Sequence, residues 1–307
     1  LKLSIILPAK NEAASLGDLL PRIRQELPEA ELLLIDDGST DATAEIARSG
    51  GARVVSHPYS LGNGAAVKTG ARAAKGDILV FMDADGQHDP ADIPRLLETL
   101  SRGYDMVVGA RSQGSQANWG RGLANRLYNR LASYMTGQLI EDLTSGFRAV
   151  RAERFRTFLY LLPNGFSYPT TITMAFFRAG YGVAYEPIHA AKRIGKSHIS
   201  PLKDGMRFLL IIFRVGTLYS PLKLFVPVAA LHASVGIGYY VYTYAAQSRI
   251  SLATLFLLTS AVMIFLIGLV SEQITQLMYK DSASRAADRE RSTDQGPSTT
   301  SSERRRA

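Results

Sequence analysis

Two long stretches near the C-terminal end carry no Asp, Glu, Lys or Arg: one between Lys223 and Arg249, the other between Arg249 and Glu272. A bilayer core of ~30 Å takes about 20 apolar residues in a helix, so each stretch is long enough to cross it. Gln247-Ser248-Arg249 provides a polar turn between them. The pattern predicts two transmembrane helices, about 224–246 and 250–271, folded as a hairpin within 223–279. The competing reading, a helical hairpin buried in a soluble core, is the weaker one for spans of this length. Just ahead, residues 201–222 mix Lys203, Arg207 and Arg214 with the run Phe208–Phe213. That mixture suits amphipathic helices lying in the membrane interface. After the hairpin, 280–307 is rich in Ser, Arg and Asp and ends Arg304-Arg305-Arg306-Ala307, which predicts a disordered tail. An even number of spans puts the tail and the N-terminal region on one side. Both flanks are richer in Lys and Arg than the turn, so that side is expected to be the cytoplasm.

Residues 1–200 read differently. The run Leu1–Pro8 is too short for a signal-peptide core and reads as a first buried strand. Strand-like runs recur at Leu3–Leu7, Glu31–Ile35, Arg53–Ser56, Ile78–Met82 and Asp105–Gly109. Helix-like stretches fall between them, at about Ser15–Leu27, Asp41–Arg48, Ala65–Ala74 and Pro90–Ser101. This alternation predicts an α/β domain with a mostly parallel sheet covered on both faces. In such sheets ligands bind beyond the carboxyl ends of the strands. Polar clusters stand at those ends: Asn11-Glu12, Asp36-Asp37-Gly38-Ser39, Asp83-Ala84-Asp85 and Arg111. A mixed region, about 112–200, follows. Its one clear amphipathic helix, Gly122–Met135, has Leu123, Leu127, Leu131 and Met135 on one stripe. The other face carries Arg121, Asn125, Arg126, Asn129 and Arg130.

The chain has no cysteine, which excludes a disulfide framework and thiolate zinc sites. Its net charge of +8 points to nucleic acid, an anionic membrane or a phosphorylated substrate. The basic residues gather beside the strand-end clusters and near the apolar stretches, which favours the last two.

Asp83 and Asp85 follow an apolar strand, and in extended chain residues i and i+2 share a face. Both carboxylates can point to one place while Ala84 points away. Two hard oxygen ligands suit Mg²⁺ or Mn²⁺, with substrate phosphates completing the shell. The blander reading is a turn or helix cap, which Asp85-Gly86 also fits. The second acidic cluster on the same edge raises the case for chemistry, since such a site is costly without a cation or donors. Asp37 there is able to accept hydrogen bonds from a nucleotide base. Two phosphate-loop near misses, Gly62–Thr69 and Ala190–Ser197, fail at Val67 and Ala190 where glycine is needed. Gly62-Asn63-Gly64 reads instead as a glycine loop capping the next helix.

The stretches Leu7-Pro8-Ala9-Lys10-Asn11-Glu12, Asp36–Ser39, Asp83-Ala84-Asp85-Gly86-Gln87-His88, Gly109-Ala110-Arg111, Asp142–Ala149 and Gly195-Lys196-Ser197 occur in that order. Together they resemble the inverting GT-A glycosyltransferases, specifically polyprenyl-phosphate sugar synthases of the dolichyl-phosphate mannose synthase type. The resemblance covers roughly residues 3–200. It implies a nucleotide-sugar site formed by Pro8, Lys10, Glu12, Ile35, Asp37, Asp83, Ala84, Asp85, Arg111, Lys192, Arg193, Lys196 and His198. Metal ligands would be Asp83, Asp85 and Gln87. Lys10 stands where an aromatic is common, and His198 where a lysine is common. The segment 192–198 matches a loop that closes over the donor diphosphate. The implied activity is transfer of a mannose- or glucose-type hexose to a polyprenyl phosphate, with Asp85, Asp142 and Arg111 as catalytic residues. Arg121, Arg126 and Arg130 are candidates to guide the acceptor phosphate.

A lipid monophosphate, with a second pKa near ~6, is already largely anionic at neutral pH. A strong base is then less necessary, and positioning and charge neutralisation dominate. Asp142 is the candidate for positioning or proton acceptance; the plain alternative is a loop cap. The expected partners are a nucleoside-diphosphate sugar, a polyprenyl phosphate and the lipid membrane, with no nucleic acid and with room for a homo-oligomer. Two other functions compete. A processive polysaccharide synthase usually carries Gln-x-x-Arg-Trp, yet the only tryptophan, Trp119, follows Gln116-Ala117-Asn118. A non-catalytic basic membrane adaptor has no need of carboxylates at strand ends.

Overall fold

The computed structural model describes residues 1–111, 119–165, 167–189, 213, 217 and 219–294. The elements run β1 (Leu3–Ala9), α1 (Ala13–Glu26), β2 (Glu31–Asp36), α2 (Thr43–Ser49), β3 (Arg53–Ser56), α3 (Asn63–Ala73) and β4 (Ile78–Phe81). A 3₁₀ turn (Pro90–Asp92) leads into α4 (Ile93–Ser101), β5 (Met106–Arg111), α5 (Trp119–Thr136), β6 (Arg148–Arg151) and α6 (Ala152–Thr157). Then come α7 (Tyr168–Arg178), β7 (Val183–Ile188), α8 (Pro221–Gln247) and α9 (Leu252–Asp294). The seven strands form one sheet in the order β3-β2-β1-β4-β6-β5-β7. Only β6 runs antiparallel, between β4 and β5.

Strands buried on both faces need continuous apolar runs, and β1 and β2 supply them. Along each, successive side chains enter opposite cores. Ile5, Leu7, Leu32 and Leu34 pack with α1 and α4. Ile6, Leu33 and Ile35 pack with α3, α6 and α7. Parallel pairing in register, Pro8 beside Ile35 and Ile6 beside Phe81, brings the carboxyl ends of β2, β1 and β4 to one edge. The five predicted strands are present, with ends differing by no more than two residues.

β6 and β7 are not predicted. β6 is four residues long and opens on Arg148, a charged residue at 0% exposure. A sequence pattern of apolar alternation cannot find a strand whose buried position is an arginine. The α5 stripe also differs. Leu127 is 63% exposed, while Tyr128, Ala132 and Met135 are buried. Steps of four residues in a helix of 3.6 per turn drift around its axis, so the row from Leu123 to Met135 cannot stay on one face.

α8 and α9 pack along each other as the predicted hairpin. Gly236 meets Leu257 and Leu258, and Gly268 meets Phe225, so small residues let the helices approach. The apolar windows within Pro221–Ala246 and Leu252–Met278 are only 11% and 17% buried. That exposure argues against a buried soluble hairpin, because such apolar surface needs cover. α9 continues to Asp294, into the stretch expected to be disordered. Residues such as Ala286, Ala287, Arg289 and Glu290 there favour helix. Most of 201–222 lies outside the described residues.

The hairpin is tied to the α/β domain by polar contacts. Lys223 Nζ donates to the carbonyls of Met135 at 2.9 Å and Tyr134 at 3.3 Å, the last turn of α5. A cation there complements the helix dipole. Arg178 at the end of α7 pairs with Glu272 of α9 at 3.5 Å, and Tyr160 donates to the Met278 carbonyl at 3.0 Å.

Candidate active site

The site grows from loops at the carboxyl edge of the sheet. Asn11, after β1, adopts φ 56° and accepts from the Thr40 amide at 2.8 Å, while its own amide donates to Ser39 Oγ at 2.9 Å. Short polar side chains tolerate this left-handed conformation. Ser15 Oγ donates to the Ala84 carbonyl at 2.6 Å. The loops after β1, β2 and β4 are thus bonded to one another.

Asp37 is the most heavily bonded residue of the second loop. Its carboxylate accepts from Ser60 Oγ (2.7 Å), Leu61 N (2.8 Å) and Gly62 N (2.9 Å), and lies 2.8 Å from His57 Nδ1. Burial acts to raise its pKa, but His57, Ser60 and the two amides outweigh burial and hold it below the usual range. It shapes the loop leading into α3. There Gly62 takes φ +102°, and a Cβ on Gly64 would collide with the Pro163 carbonyl. The Gly64 and Ala65 amides point to the carbonyls of Gly165 and Asn164. Those two amides of the first turn of α3 are therefore satisfied by protein, and Gly62 is the N-cap residue, as the capping reading expects.

Beyond β4, which ends at Phe81, Ala84 is buried and Asp83, Asp85, Gly86 and Gln87 are half-buried; residues 84–85 form a turn, so the expected extended-chain alternation does not continue past Asp83. Asp85 Oδ1 accepts from the Gln87 amide at 3.1 Å. A Cβ on Gly146 would lie 3.1 Å from Asp83 Oδ2, so glycine there leaves that carboxylate its space. Two carboxylates and an amide are a donor set for a hard divalent ion that draws its remaining ligands from phosphate and water. No cluster of three acidic or histidine ligands stands among the described residues.

At the end of β5, Arg111 makes a two-pronged contact with Asp142: Nε to Oδ2 at 2.7 Å and a terminal nitrogen to Oδ1 at 3.0 Å. Asp142 also accepts from Thr144 N at 3.0 Å and Ser145 N at 3.1 Å. Burial works to raise the Asp142 carboxyl, but the hydrogen bonds and charge of Arg111 overcome it, and the pKa is lowered. The Arg111 pKa is raised: burial opposes it, and Asp142 prevails. A carboxylate held this far toward ionisation is a better positioning group than a proton acceptor.

Two residues given no role from the sequence belong to this site. His88 is 5% exposed, stacks on Phe147 at 5.0 Å and lies 3.9 Å from Asp83 Oδ2. Burial pushes its pKa from 6.5 down to about 4, against the pull of Asp85 and with the push of Arg111. Between these pH values the unfolded chain takes up a proton that the folded imidazole refuses, so stability falls as pH drops from 6.5 toward about 4. The shift corresponds to about 3 kcal/mol. In chelator-treated protein, His88→Phe is expected to flatten the fall in melting temperature across that window. An unchanged slope would remove His88 as its cause.

Arg148 lies beneath the site. It donates to the carbonyls of Ser145 and Pro169 and to Thr173 Oγ1, and it stacks 5.7 Å from the Tyr168 ring. No carboxylate among the described residues pairs with it. Tyr168 donates to the Gly146 carbonyl at 3.2 Å. The loop carrying Asp142 is therefore held from below by a buried cation and a tyrosine.

Other expected positions are less directly placed. Pro8 is buried, Lys10 is exposed and Glu12 is half-buried on the first loop. Ile35 is at 0% exposure in the core, so only its backbone can face a ligand. Arg126 and Arg130 are exposed on α5. Arg121 belongs to the same helix, with its side chain outside the described residues, as are Lys192, Arg193, Lys196 and His198.

Residues 4–159 match the family model Glycosyl transferase family 2, and residues 220–277 match the GtrB C-terminal hairpin. The chain is 31% identical to glycosyltransferase AglJ of Haloferax volcanii, over 78% of this chain and 80% of that one. It is 34% identical to an undecaprenyl-phosphate mannosyltransferase of Micrococcus luteus, over 64% and 86% of the two chains. An undecaprenyl-phosphate 4-deoxy-4-formamido-L-arabinose transferase of Edwardsiella ictaluri is 36% identical over 53% of this chain, which spans only 56% of that relative. Among solved structures, glucosyl-3-phosphoglycerate synthase from Mycobacterium tuberculosis with Mn²⁺, UDP and glucosyl-3-phosphoglycerate aligns at TM-score 0.56 and 26% identity, over 70% and 78% of the chains.

Proposed function

The chain belongs to glycosyl transferase family 2, and on that premise we propose that it transfers a mannose- or glucose-type hexose from a nucleoside-diphosphate sugar to a polyprenyl phosphate. Transfer would occur with inversion, with metal assistance, at the cytoplasmic face of the membrane. One observation carries the reading. The acidic strand-end cluster and the Arg111–Asp142 pair occupy the same domain that Lys223, Arg178 and Tyr160 fasten to an apolar hairpin. In this reading a polar donor site stands beside a membrane anchor. The relatives named for undecaprenyl phosphate support a lipid-phosphate acceptor, and the neighbour holding Mn²⁺ and UDP supports the donor.

Asp83, Asp85 and Gln87 would hold Mg²⁺ or Mn²⁺, which when bound offsets the charge of the departing diphosphate. Arg111, a cation oriented by Asp142, would face anionic phosphate at the same edge. Asp142 orients that guanidinium rather than carrying a proton. The acceptor phosphate is already anionic, so the residues mainly align it with the anomeric carbon and exclude water. The sugar would pass through an oxocarbenium-like state. Residues 1–200 form the proposed catalytic domain and 201–222 the proposed interfacial segment. Lys192, Arg193, Lys196 and His198 would close over the diphosphate, and Arg121, Arg126 and Arg130 would receive the lipid phosphate.

Titration calorimetry of the full chain in detergent with UDP and with GDP tests the donor half. Binding of one of them that needs Mn²⁺ or Mg²⁺ is expected. Well-folded protein that binds neither would favour the adaptor reading.

A further inference from the structure

α5 carries an exposed face among the described residues. Its buried side, Tyr128, Ala132 and Met135, packs with Leu143 and Met174, and Tyr128 donates to Thr170 Oγ1 at 2.9 Å. On the opposite side Leu127 is 63% exposed and Tyr134 60%, and Leu139 just beyond the helix is 76% exposed. Arg126 and Arg130 lie on the same exposed side. Residues 126, 130 and 134 follow one another by four, and 127 adjoins them, so basic and apolar groups are interleaved. This combination, apolar groups and a tyrosine beside long cationic side chains, matches helices that rest in a lipid interface.

The position of this face relative to the hairpin decides its occupant. Lys223, in the first turn of α8, reaches the last carbonyls of α5 and sits 5.8 Å from the Tyr134 ring. α8 begins the span Pro221–Ala246. The C-terminal end of α5 therefore lies within one side-chain length of where the chain enters the apolar layer. Tyrosine is enriched at that level of a bilayer, and arginines beside it would meet anionic headgroups.

We propose that the exposed face of α5 and the turn after it form a membrane-resting surface. Leu127, Tyr134 and Leu139 lie in the headgroup region, and while no acceptor is bound Arg126 and Arg130, proposed above to receive the acceptor phosphate, lie against phospholipid phosphates. The partner is the bilayer surface itself. The inference rests on the membrane reading of the hairpin. It makes α5 a further contact, apart from the spans and from residues 201–222, that fixes the tilt of the domain over the lipid.

The chain has no cysteine, so single-cysteine variants carry one label each. Leu127→Cys, Tyr134→Cys and Leu139→Cys would be labelled with a nitroxide in the full chain, in nanodiscs containing anionic phospholipid and without donor or acceptor. Glu98→Cys, on α4 at the opposite face of the sheet, reports water. Val235→Cys, midway along α8, reports the bilayer. The ratio of accessibility to oxygen over an aqueous nickel complex is expected to be several-fold higher at the three α5 sites than at 98, and lower than at 235. Arg126→Gln with Arg130→Gln should lower the ratio at 127 in anionic nanodiscs and leave it unchanged in neutral ones. Ratios at 127, 134 and 139 equal to that at 98, with a lipid-like value at 235, would overturn this inference alone. A water-like value at 235 would overturn the membrane reading beneath it.

Discussion

Asp85→Asn is expected to abolish transfer and leave the fold intact. Asp85 is half-buried beyond β4, and its Oδ1 accepts from the Gln87 amide, a bond an asparagine oxygen reproduces. What the substitution removes is one of the two negative charges of Asp83 and Asp85. A site with a single carboxylate holds a divalent ion poorly. The departing diphosphate then loses its counter-charge, and a fall in kcat on the order of 10³-fold follows. Turnover measured at saturating Mn²⁺ and Mg²⁺, beside the melting temperature of the same sample, checks both halves. Full activity with metal present would refute the metal role of Asp85.

The second large effect is at the Arg111–Asp142 pair. Arg111→Met strands a carboxylate that is 8% exposed and leaves it the neutral donors of Thr144, Ser145 and the residue-111 backbone amide, with no cation beside it. Breaking a buried pair from one side costs about 3 kcal/mol. Transfer should fall as well, by about 100-fold or more, because a cation aimed at phosphate is lost. Structural and chemical losses separate in the double variant. Arg111→Met with Asp142→Leu removes both charges, and replacing a buried pair by apolar groups is often neutral for stability. Chemical denaturation should therefore show recovery of most of the lost stability, with transfer still low. Recovery of transfer together with stability would reduce the pair to scaffolding.

The parallel core was legible because its strands are uninterrupted apolar runs and its helices alternate with them. The ends of β1, β2, β4 and β5 were placed well enough to locate Asp37, Asp83, Asp85 and Arg111 on one edge. What escaped has a common cause: polar groups whose partners are distant in sequence. Arg148 hides β6 because its acceptors come from Ser145, Pro169 and Thr173. His88 reads as part of a motif, and only the stacked Phe147 and the burial around it give it a defined charge state. Asp37 looks like a ligand for a base, yet its oxygens serve the loop from His57 to Gly62. The pairing of Arg111 with Asp142 joins residues far apart in the chain, and no local pattern announces it. The hairpin was legible from its lack of charge, whereas its fastening through Lys223 and Arg178 needed coordinates.

The central claim is sugar transfer to a lipid phosphate, and a product assay tests it most directly. The full chain in nanodiscs carrying undecaprenyl or dolichyl phosphate would be given UDP- or GDP-hexoses with Mn²⁺ or Mg²⁺, and the lipids read by mass spectrometry and NMR. The expected result is one hexose added to the polyprenyl phosphate, with the anomeric configuration opposite to that of the donor. Polymer, or no lipid-linked sugar from any pairing by protein that binds the nucleoside diphosphate, would contradict it.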